Sequence, residues 1–312
     1  MQTRENIIRD ILRLFVWFPF RWLAKIAPIN SMFFIFKIMG DLHYHLTRGK
    51  SERIADNIKY FLKKDQKTAL DITKKNYENH YVDRLHIFLY PRITTKENIE
   101  KYVSFENLET LERELKNGRG ILIVQPHFGP VQITLLTLSL LGYNPVQIGY
   151  PRDIGLSRIG HAVAYGYRLK YEAMLPPILP ANKYLGKAYK HLVKGGVVFT
   201  TGDGAGGGVL LGEHKEFKFF DIKKMFPLGP AAWALKTRAA FVPTFIIAEG
   251  YNKFRIVFEE PVVGIYNDAE RDMLYITKIF ISITEQYIRK YPHCWHFWDE
   301  LDERVTRERS LQ

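Results

Sequence analysis

Short apolar runs alternate with segments of helical periodicity from Gly118 onward, and this alternation constrains the fold more than any other feature of the chain. Six runs are predicted as strands, over residues 121–124, 146–150, 174–179, 197–201, 241–248 and 255–259. Five segments are predicted as helices, over residues 131–141, 156–167, 182–193, 230–236 and 269–290. Strands and helices that alternate in this way predict an α/β fold with a mixed, mainly parallel sheet flanked by helices.

The first forty residues have a different pattern. Residues 11–40 are rich in aromatic and aliphatic side chains, but basic residues and prolines interrupt them, at Arg13, Pro19, Arg21, Lys25 and Pro28. Interleaved aromatic and basic residues are typical of a helix that lies among lipid headgroups. We therefore predict a helical, membrane-contacting segment over residues 1–48 and an α/β domain over residues 49–312. A buried helical hairpin, or a single short span that includes residues 32–39, are the alternatives.

The composition limits the classes of partner that the chain can bind. The 312 residues include 45 Lys and Arg against 33 Asp and Glu, a formal net charge of +12. A protein surface with this excess of positive charge attracts polyanions and anionic membranes. Because the chain carries no zinc-finger or RNA-recognition motif, we predict a membrane surface rather than nucleic acid as its partner. Cys294 is the only cysteine, which excludes an internal disulfide.

A metal site is not predicted either. Zinc needs three or four convergent ligands, and His43 and His45 are a poor match for a partner pair to His293 and His296. The aromatic residues around His293 are instead expected to pack on the sheet.

A histidine follows the first predicted strand. Residues 125–132 read Gln-Pro-His-Phe-Gly-Pro-Val-Gln and join that strand to the next predicted helix. Gly129 lets the backbone pass close to a ligand, and Pro130 suits a first helical turn. His127 is therefore a candidate general base near neutral pH. A structural histidine that only satisfies its own hydrogen bonds is the alternative.

Two later segments carry further candidates. Asp203 lies in a glycine-rich stretch in which Gly202, Gly204 and Gly207 form a G-x-G-x-x-G string. No helical pattern follows, so we expect a mobile loop beside a pocket rather than a dinucleotide site. An Asp that only forms the turn is the alternative for Asp203.

Three arginines, Arg152, Arg158 and Arg168, follow the second predicted strand, and Arg152 stands at its very end. Guanidinium groups bind phosphate in a bidentate manner. We predict ligand contacts for Arg152 and Arg158, with solvated helix arginines as the alternative.

Together these segments resemble the lipid A biosynthesis acyltransferases, a branch of the lysophospholipid acyltransferase superfamily. That family carries a glycine-led strand and then His-Phe-Gly-Asn-Trp-Glu, where this chain has residues 118–124 and then His-Phe-Gly-Pro-Val-Gln. The resemblance covers nearly the whole chain, through residues 53–58, 150–152, 195–203, 229–232 and 289–298. It departs from the family at Gln132, where the family has the acid of a His-x4-Asp/Glu dyad.

The resemblance implies an acyltransferase, without cofactor or metal, at the cytoplasmic face of a bacterial inner membrane. A hydroxyl of a lipid or glycolipid acceptor would attack an acyl thioester of acyl carrier protein or coenzyme A. It implies that His127 is the base and that Asp203 lies near the active site. Backbone N–H groups around Phe128 and Gly129, or an arginine, would meet the oxyanion.

Gln132 keeps an acceptor oxygen but carries no charge. We predict that it orients the His127 imidazole and that Gln132→Glu preserves or increases acyl transfer. The alternatives are a non-catalytic, acyltransferase-like protein that binds lipid or acyl carrier protein, and an acyltransferase for an unusual acceptor.

Overall fold

A computed structural model describes residues 7–149, 156–183, 185–204 and 210–301. Within these ranges the α-helices are α1 (Ile7–Phe15), α2 (Arg21–Ile26), α3 (Ile29–Leu46), α4 (Arg48–Leu62), α5 (Gln66–Leu85), α6 (Lys96–Ile99), α7 (Glu109–Lys116), α8 (Val131–Leu140), α9 (Gly166–Glu172), α10 (Gly186–Val193), α11 (Gly229–Thr237) and α12 (Ala269–Lys290). π-helical turns cover Val16–Phe20 and Gly160–Tyr165, and 3₁₀ turns cover His86–Arg92, Pro292–Cys294 and Trp298–Glu300.

The strands form one large sheet and one hairpin. They are β1 (Val103–Glu106), β2 (Ile121–Gln125), β3 (Val146–Gly149), β4 (Ile178–Pro180), β5 (Val197–Thr201), β6 (His214–Phe219), β7 (Ile222–Pro227), β8 (Ala240–Ala248) and β9 (Phe254–Phe258). The sheet has the order β1-β9-β8-β2-β5-β3-β4, while β6 and β7 form a separate antiparallel hairpin. All neighbours in the sheet are parallel except β8 and β9. The predicted mixed, mainly parallel α/β fold is therefore confirmed.

Two layers of helices cover the sheet, because successive side chains of a strand point to opposite faces. In β2, Ile121 and Ile123 join the larger core cluster, which also takes in buried residues of α2, α3, α4, α5 and α8. Leu122 and Val124 join a second cluster, formed with α10, α11 and α12. We call the side of the sheet with the larger cluster the N-terminal layer and the side with the second cluster the C-terminal layer.

The N-terminal helices are buried on one side only. Trp17, Phe20, Met32, Phe33 and Phe36 lie in the core. The other side of the same helices exposes large apolar side chains, among them Ile7, Ile8, Ile11, Leu12, Phe15, Trp22, Leu23, Ile26, Phe34 and Leu42. Among the residues that the structure describes, no helix combines the length and the apolar character needed to cross a membrane.

Several element boundaries differ from the sequence-based expectation. The strand predicted over residues 174–179 begins only at Ile178, because Met174 and Leu175 close the end of α9 by donating to Tyr171 O and Glu172 O. The helix predicted over residues 156–167 contains the π-helical turn and then runs on as α9. Strands β1, β6 and β7 were not predicted, since charged residues break their apolar pattern.

The predicted division after residue 48 stays a prediction. Side chains of α4 and α5 nevertheless tie the N-terminal layer to the end of the chain: Asn57 Nδ2 donates to Trp298 O at 2.7 Å, and Asn76 Nδ2 donates to Trp295 O at 2.6 Å. The C-terminal segment is thereby held over the end of β2.

Candidate active site

The turn after β2 is paired with the C-terminal segment. Gly129 N donates to Cys294 O at 2.7 Å, and His296 N donates to His127 O at 2.9 Å. Phe128 forms an antiparallel bridge with Trp295, which is fully buried. The aromatic residues near the C-terminus thus fix the backbone that carries His127.

Gly129 is required by this geometry. Its φ is +64°, and a Cβ atom there would lie 2.2 Å from Ile246 O on β8. The left-handed conformation and the close approach of two backbones both favour glycine. The turn can therefore start α8 directly beneath the sheet edge and leave the His127 side chain facing the cavity.

His127 is paired with Asp203, which follows β5 at the same edge of the sheet. His127 Nδ1 lies 2.7 Å from Asp203 Oδ1, and the backbone N of His127 donates to Asp203 Oδ2 at 2.9 Å. Because a carboxylate only accepts hydrogen bonds, Nδ1 carries the proton and Nε2 of the neutral ring keeps its lone pair. The Phe297 ring lies 4.5 Å from the imidazole, centroid to centroid.

The pair shifts both pKa values. Burial alone would lower the pKa of His127, but the Asp203 carboxylate outweighs it and raises that pKa above the usual value. Burial alone would raise the pKa of Asp203, but His127 outweighs it and holds that pKa below its usual range. The arrangement therefore stabilises an imidazolium, the state that a general base reaches during catalysis.

Lys224, on β7, lies behind this pair. Its Nζ is 5.1 Å from the centroid of Trp295 and 5.6 Å from those of Phe219 and Phe297. The Nζ atom is buried, and among the described residues it has no hydrogen-bond acceptor. Burial lowers the pKa of Lys224, whereas the charge of Asp203 opposes that shift. Trp295 Nε1 donates to Asp203 Oδ2 at 3.4 Å, so the aromatic residues contact both charged groups.

Gln132 does not take the role predicted for it. It lies in the first turn of α8, and its side chain reaches the N-terminal layer, away from Nδ1 of His127. Its Oε1 accepts from the Tyr90 hydroxyl at 3.2 Å, and its Nε2 donates to Glu172 Oε1 at 3.3 Å. Arg168 Nε donates to the same Glu172 oxygen at 2.5 Å. The partner that orients His127 is therefore Asp203.

The expected roles of Phe128 and Gly129 also need correction. The Phe128 side chain is fully buried against Phe245 and Tyr287, where it is out of reach of a substrate. Its backbone N donates to Pro126 O at 2.7 Å, and that of Gly129 is used by Cys294. The turn places both N–H groups in pairing with the protein, so they are not donors for an oxyanion.

The three arginines have different positions. Arg152 lies outside the described residues, so its predicted ligand contact stays a prediction. Arg158 is exposed at the start of the segment that leads to α9, and it does not line the cavity beside His127. Arg168 does line that cavity, where Glu172 holds its guanidinium.

The cavity beside His127 measures about 760 Å³. Its charged and polar lining residues are Asp83, Arg84, His127, Gln132, Arg168 and Glu172, with Gln147, Thr200, Thr201 and His214 from strands β3, β5 and β6. Apolar lining residues come from both sides, among them Val16, Trp17, Leu85, Ile87 and Phe88 from the N-terminal elements and Leu122, Ile148, Ile178, Leu185, Pro230 and Trp233 from the rest of the cavity. Burial raises the pKa of Asp83 to about 6. Gly204 also lines the cavity, as expected for a loop beside a pocket, while residues 205–209 lie outside the described residues.

Lys224, Asp83, Glu172 and Tyr90 carry no signal of this site in the sequence. Asp83, Glu172 and Lys224 belong to segments whose own pattern indicates a solvated helix or hairpin, whereas Tyr90 lies in an apolar segment that indicates only a core. The packing of separate elements brings these side chains to the site. Trp295 belongs to the aromatic residues expected to pack on the sheet, and its bond to Asp203 has no signal in the sequence.

Comparison with curated proteins gives no match. Residues 3–301 match the sequence profile of a family described as bacterial lipid A biosynthesis acyltransferase, and this range includes His127, Asp203 and nearly all residues of the described fold. The chain therefore belongs to the bacterial lipid A biosynthesis acyltransferases, within the lysophospholipid acyltransferase superfamily.

Proposed function

We propose that this acyltransferase moves a fatty acyl chain from an acyl thioester to a hydroxyl of a lipid or glycolipid at the cytoplasmic face of the bacterial inner membrane. The thioester is that of acyl carrier protein or coenzyme A. The observation that supports this proposal is that His127, paired with Asp203, lines a cavity that has both polar and apolar lining residues. A hydroxyl needs a base, and an acyl chain needs apolar lining.

The reaction uses the free nitrogen of His127. Nε2 takes the proton of the acceptor hydroxyl while its oxygen forms a bond to the thioester carbonyl carbon. The tetrahedral intermediate then breaks its C–S bond, and the imidazolium returns the proton to the leaving thiolate. Asp203 holds the ring and stabilises its positive charge throughout, because it is buried and accepts from Nδ1.

An arginine meets the negative charge of the tetrahedral oxygen. The N–H groups of Phe128 and Gly129 are already bonded, and the arginines that line the cavity among the described residues are Arg84 and Arg168. Arg168 is held by Glu172, which fixes its direction before the substrate arrives. The acyl chain lies along the apolar wall formed by Ile148, Ile178 and Trp233.

The test is acyl transfer from labelled acyl carrier protein and labelled acyl coenzyme A to a bacterial lipid extract, analysed by mass spectrometry. We expect the native protein to form a new acylated lipid and His127→Ala to form none while it still unfolds in one cooperative thermal transition. Transfer by His127→Ala at the native rate would overturn the role of His127. Background rates for the native protein with every donor and acceptor would favour the non-catalytic alternative.

The inner-membrane location rests on the exposed side of α1, α2 and α3. Aromatic and aliphatic side chains there are more than one third exposed, Trp22 at 58% and Phe15 at 56% among them. Lys25 Nζ lies 4.4 Å from the Trp22 ring, an arrangement suited to anionic headgroups above an apolar layer. Vesicle sedimentation tests this: Trp22→Ser with Phe15→Ser should bind anionic vesicles more weakly than the native protein. Equal binding would contradict a membrane role for this side.

A further inference from the structure

A second surface of the molecule is strongly basic. Residues 173–202 contain no Asp or Glu, and neither do residues 227–248. These two segments include α10 and α11, which pack side by side in the C-terminal layer. Their exposed cations are Lys183, Lys187, Lys190, Lys194, Lys236 and Arg238. We call this surface the α10–α11 face.

The acidic residues at the start of the adjoining helix α12 have partners within the chain, and Glu270 among them lies 3.9 Å from Lys215 Nζ. At the start of α12, Asp268 accepts from Arg271 N at 2.8 Å, and Asp272 accepts from the backbone N of Ile265 and of Tyr266. Their carboxylates cap a helix and hold a loop. The positive charge of the α10–α11 face is therefore not neutralised by these groups.

A cleft lies in the middle of this face and adjoins the reaction cavity. It measures about 330 Å³ and is lined by Leu185, Gly186, Tyr189, Lys190, Trp233 and Lys236. Leu185 and Trp233 also line the larger cavity that contains His127. The rings of Tyr189 and Trp233 are in edge contact, 6.2 Å between centroids. A group that enters the cleft is thus one side chain away from the apolar wall of the reaction cavity.

The position in the fold indicates which partner can reach this face. The exposed apolar side of the N-terminal helices belongs to one layer, and the α10–α11 face belongs to the layer on the opposite side of the sheet. If the N-terminal layer rests on the membrane, the α10–α11 face points toward water. A soluble partner can approach it there, while the lipid surface is occupied by the other layer.

The extent of the charge distinguishes a protein from a nucleotide. Lys190 and Lys236 line the cleft, but the other four cations lie outside it. A ligand that fills about 330 Å³ contacts the first two, whereas the flat acidic surface of a protein can meet all six. We propose that the α10–α11 face docks an acidic carrier protein, whose acyl thioester passes by Trp233 into the reaction cavity.

This inference rests on the proposed function, since it selects one of its two donors. It makes the carrier protein part of substrate recognition: charge pairs set the rate of encounter, and the arm that bears the thioester enters the cleft. Coenzyme A, which offers only its own phosphates, lacks the extended contact.

The experiment measures binding of the native chain to holo acyl carrier protein from bacterial fatty acid synthesis, by surface plasmon resonance at several salt concentrations. The variant is Lys190→Glu with Lys236→Glu. The matched control is Lys67→Glu with Lys75→Glu, which changes the net charge equally but alters exposed lysines of α5 in the opposite layer. We expect the variant to bind at least about tenfold more weakly at low salt and the control to stay within about twofold of the native protein.

The binding of coenzyme A and of anionic vesicles is compared for the same proteins, and each outcome supports or overturns the proposal. Equal binding by the variant and the native protein overturns the proposal. Loss of coenzyme A binding without loss of carrier binding overturns it in favour of a nucleotide site. Loss of binding to anionic vesicles alone overturns it in favour of a lipid surface. Loss of carrier binding alone supports the proposal. This result is independent of turnover: if no donor is turned over, the proposed acyl transfer is wrong, but the docking face is still supported.

Discussion

His127 and Gln132 stand five positions apart, yet the structure places them in two separate hydrogen-bond networks. The first network lies at the sheet edge, where His127 is bonded to Asp203, and Asp203 also accepts from Trp295 and lies near the charge of Lys224. The second lies in the N-terminal layer, where Gln132 joins Tyr90 to Glu172. The first network favours the charged form of the His127 imidazole, and the second holds a neutral amide between two fixed groups.

The difference shows why the loss of an acid at position 132 need not disable the base. In a parallel sheet, the carboxyl ends of neighbouring strands share one edge. Because β5 lies next to β2, Asp203 reaches His127 although 76 residues separate them. The negative charge that the imidazole needs comes from a neighbouring strand rather than from the following helix.

Of the substitutions in the two networks, removal of the Asp203 charge should have the largest effect on acyl transfer. Asp203→Asn keeps the shape of the site but can hold the imidazole in the wrong tautomer. We expect acyl transfer to fall by about 10²–10⁴-fold. Because Asp203 raises the pKa of His127, the acid limb of the pH–rate profile should move to lower pH in the variant.

Asp83→Asn is the comparison for that variant, since Asp83 lines the same cavity and does not contact Nδ1 of His127. Its charge also raises the pKa of His127, by less than that of Asp203, so we expect a smaller shift in the same direction. Equal rates for Asp203→Asn and the native protein would show that the pair does not act in catalysis.

Substitution of Gln132 should have the next largest effect, and its sign differs from the sequence-based expectation. In Gln132→Glu, a second carboxylate would replace the amide nitrogen 3.3 Å from the buried Glu172. Two carboxylates at that distance repel each other. We therefore expect a lower melting temperature and a loss of acyl transfer of about tenfold. Gln132→Leu lacks this repulsion, because it removes the hydrogen bonds without adding charge.

Two controls identify the cause of that loss. Gln132→Glu with Glu172→Gln restores an amide beside a carboxylate, and we expect it to recover most of the stability. The repulsion raises the folded-state pKa of the pair, so the penalty is present at neutral pH and disappears as the pH falls below the unfolded value, about 4.3 for Glu. A single variant as stable as the native protein at pH 7.5 would contradict this account.

The comparison also shows where the sequence suffices to predict the site. The apolar run at β2, the glycine of the turn and the helix after it predict that His127 lies at a strand end, since these are local patterns. Asp203 at the end of β5 follows from the same rule. The fold class needed no more than the alternation of such patterns.

The partners of Gln132 could not be predicted. The direction of its side chain depends on how α8 packs against the 3₁₀ turn with Tyr90 and the helix with Glu172, and no local pattern determines that packing. The same holds for Lys224, because an alternating charged hairpin has the pattern of a surface ribbon. The aromatic residues that enclose Lys224 come from two separate segments, Phe219 from β6 and Trp295 and Phe297 from the C-terminal segment.

Removal of the Lys224 charge should have the smallest effect on acyl transfer, and it changes only the first network. Lys224→Met keeps an unbranched side chain that is only one atom shorter, and methionine fits among aromatic rings. Loss of a nearby positive charge makes the imidazolium more stable, so the pKa of His127 should rise and the acid limb of the pH–rate profile should move up by about half a unit to one unit. The plateau rate should change by less than about tenfold.

Lys223→Met is the matched control, since the adjacent Lys223 is exposed and pairs with Glu216 at 2.9 Å. We expect that control to leave the acid limb in place. Because an unpaired ammonium is costly to bury, Lys224→Met should also melt no lower than the native protein. A shift of the limb to lower pH, or an equal shift in both variants, would show that Lys224 does not act on the His127–Asp203 pair. An upward shift in Lys224→Met, with the limb unshifted in Gln132→Glu, which adds a charge to the second network, would establish that the two networks are electrostatically separate.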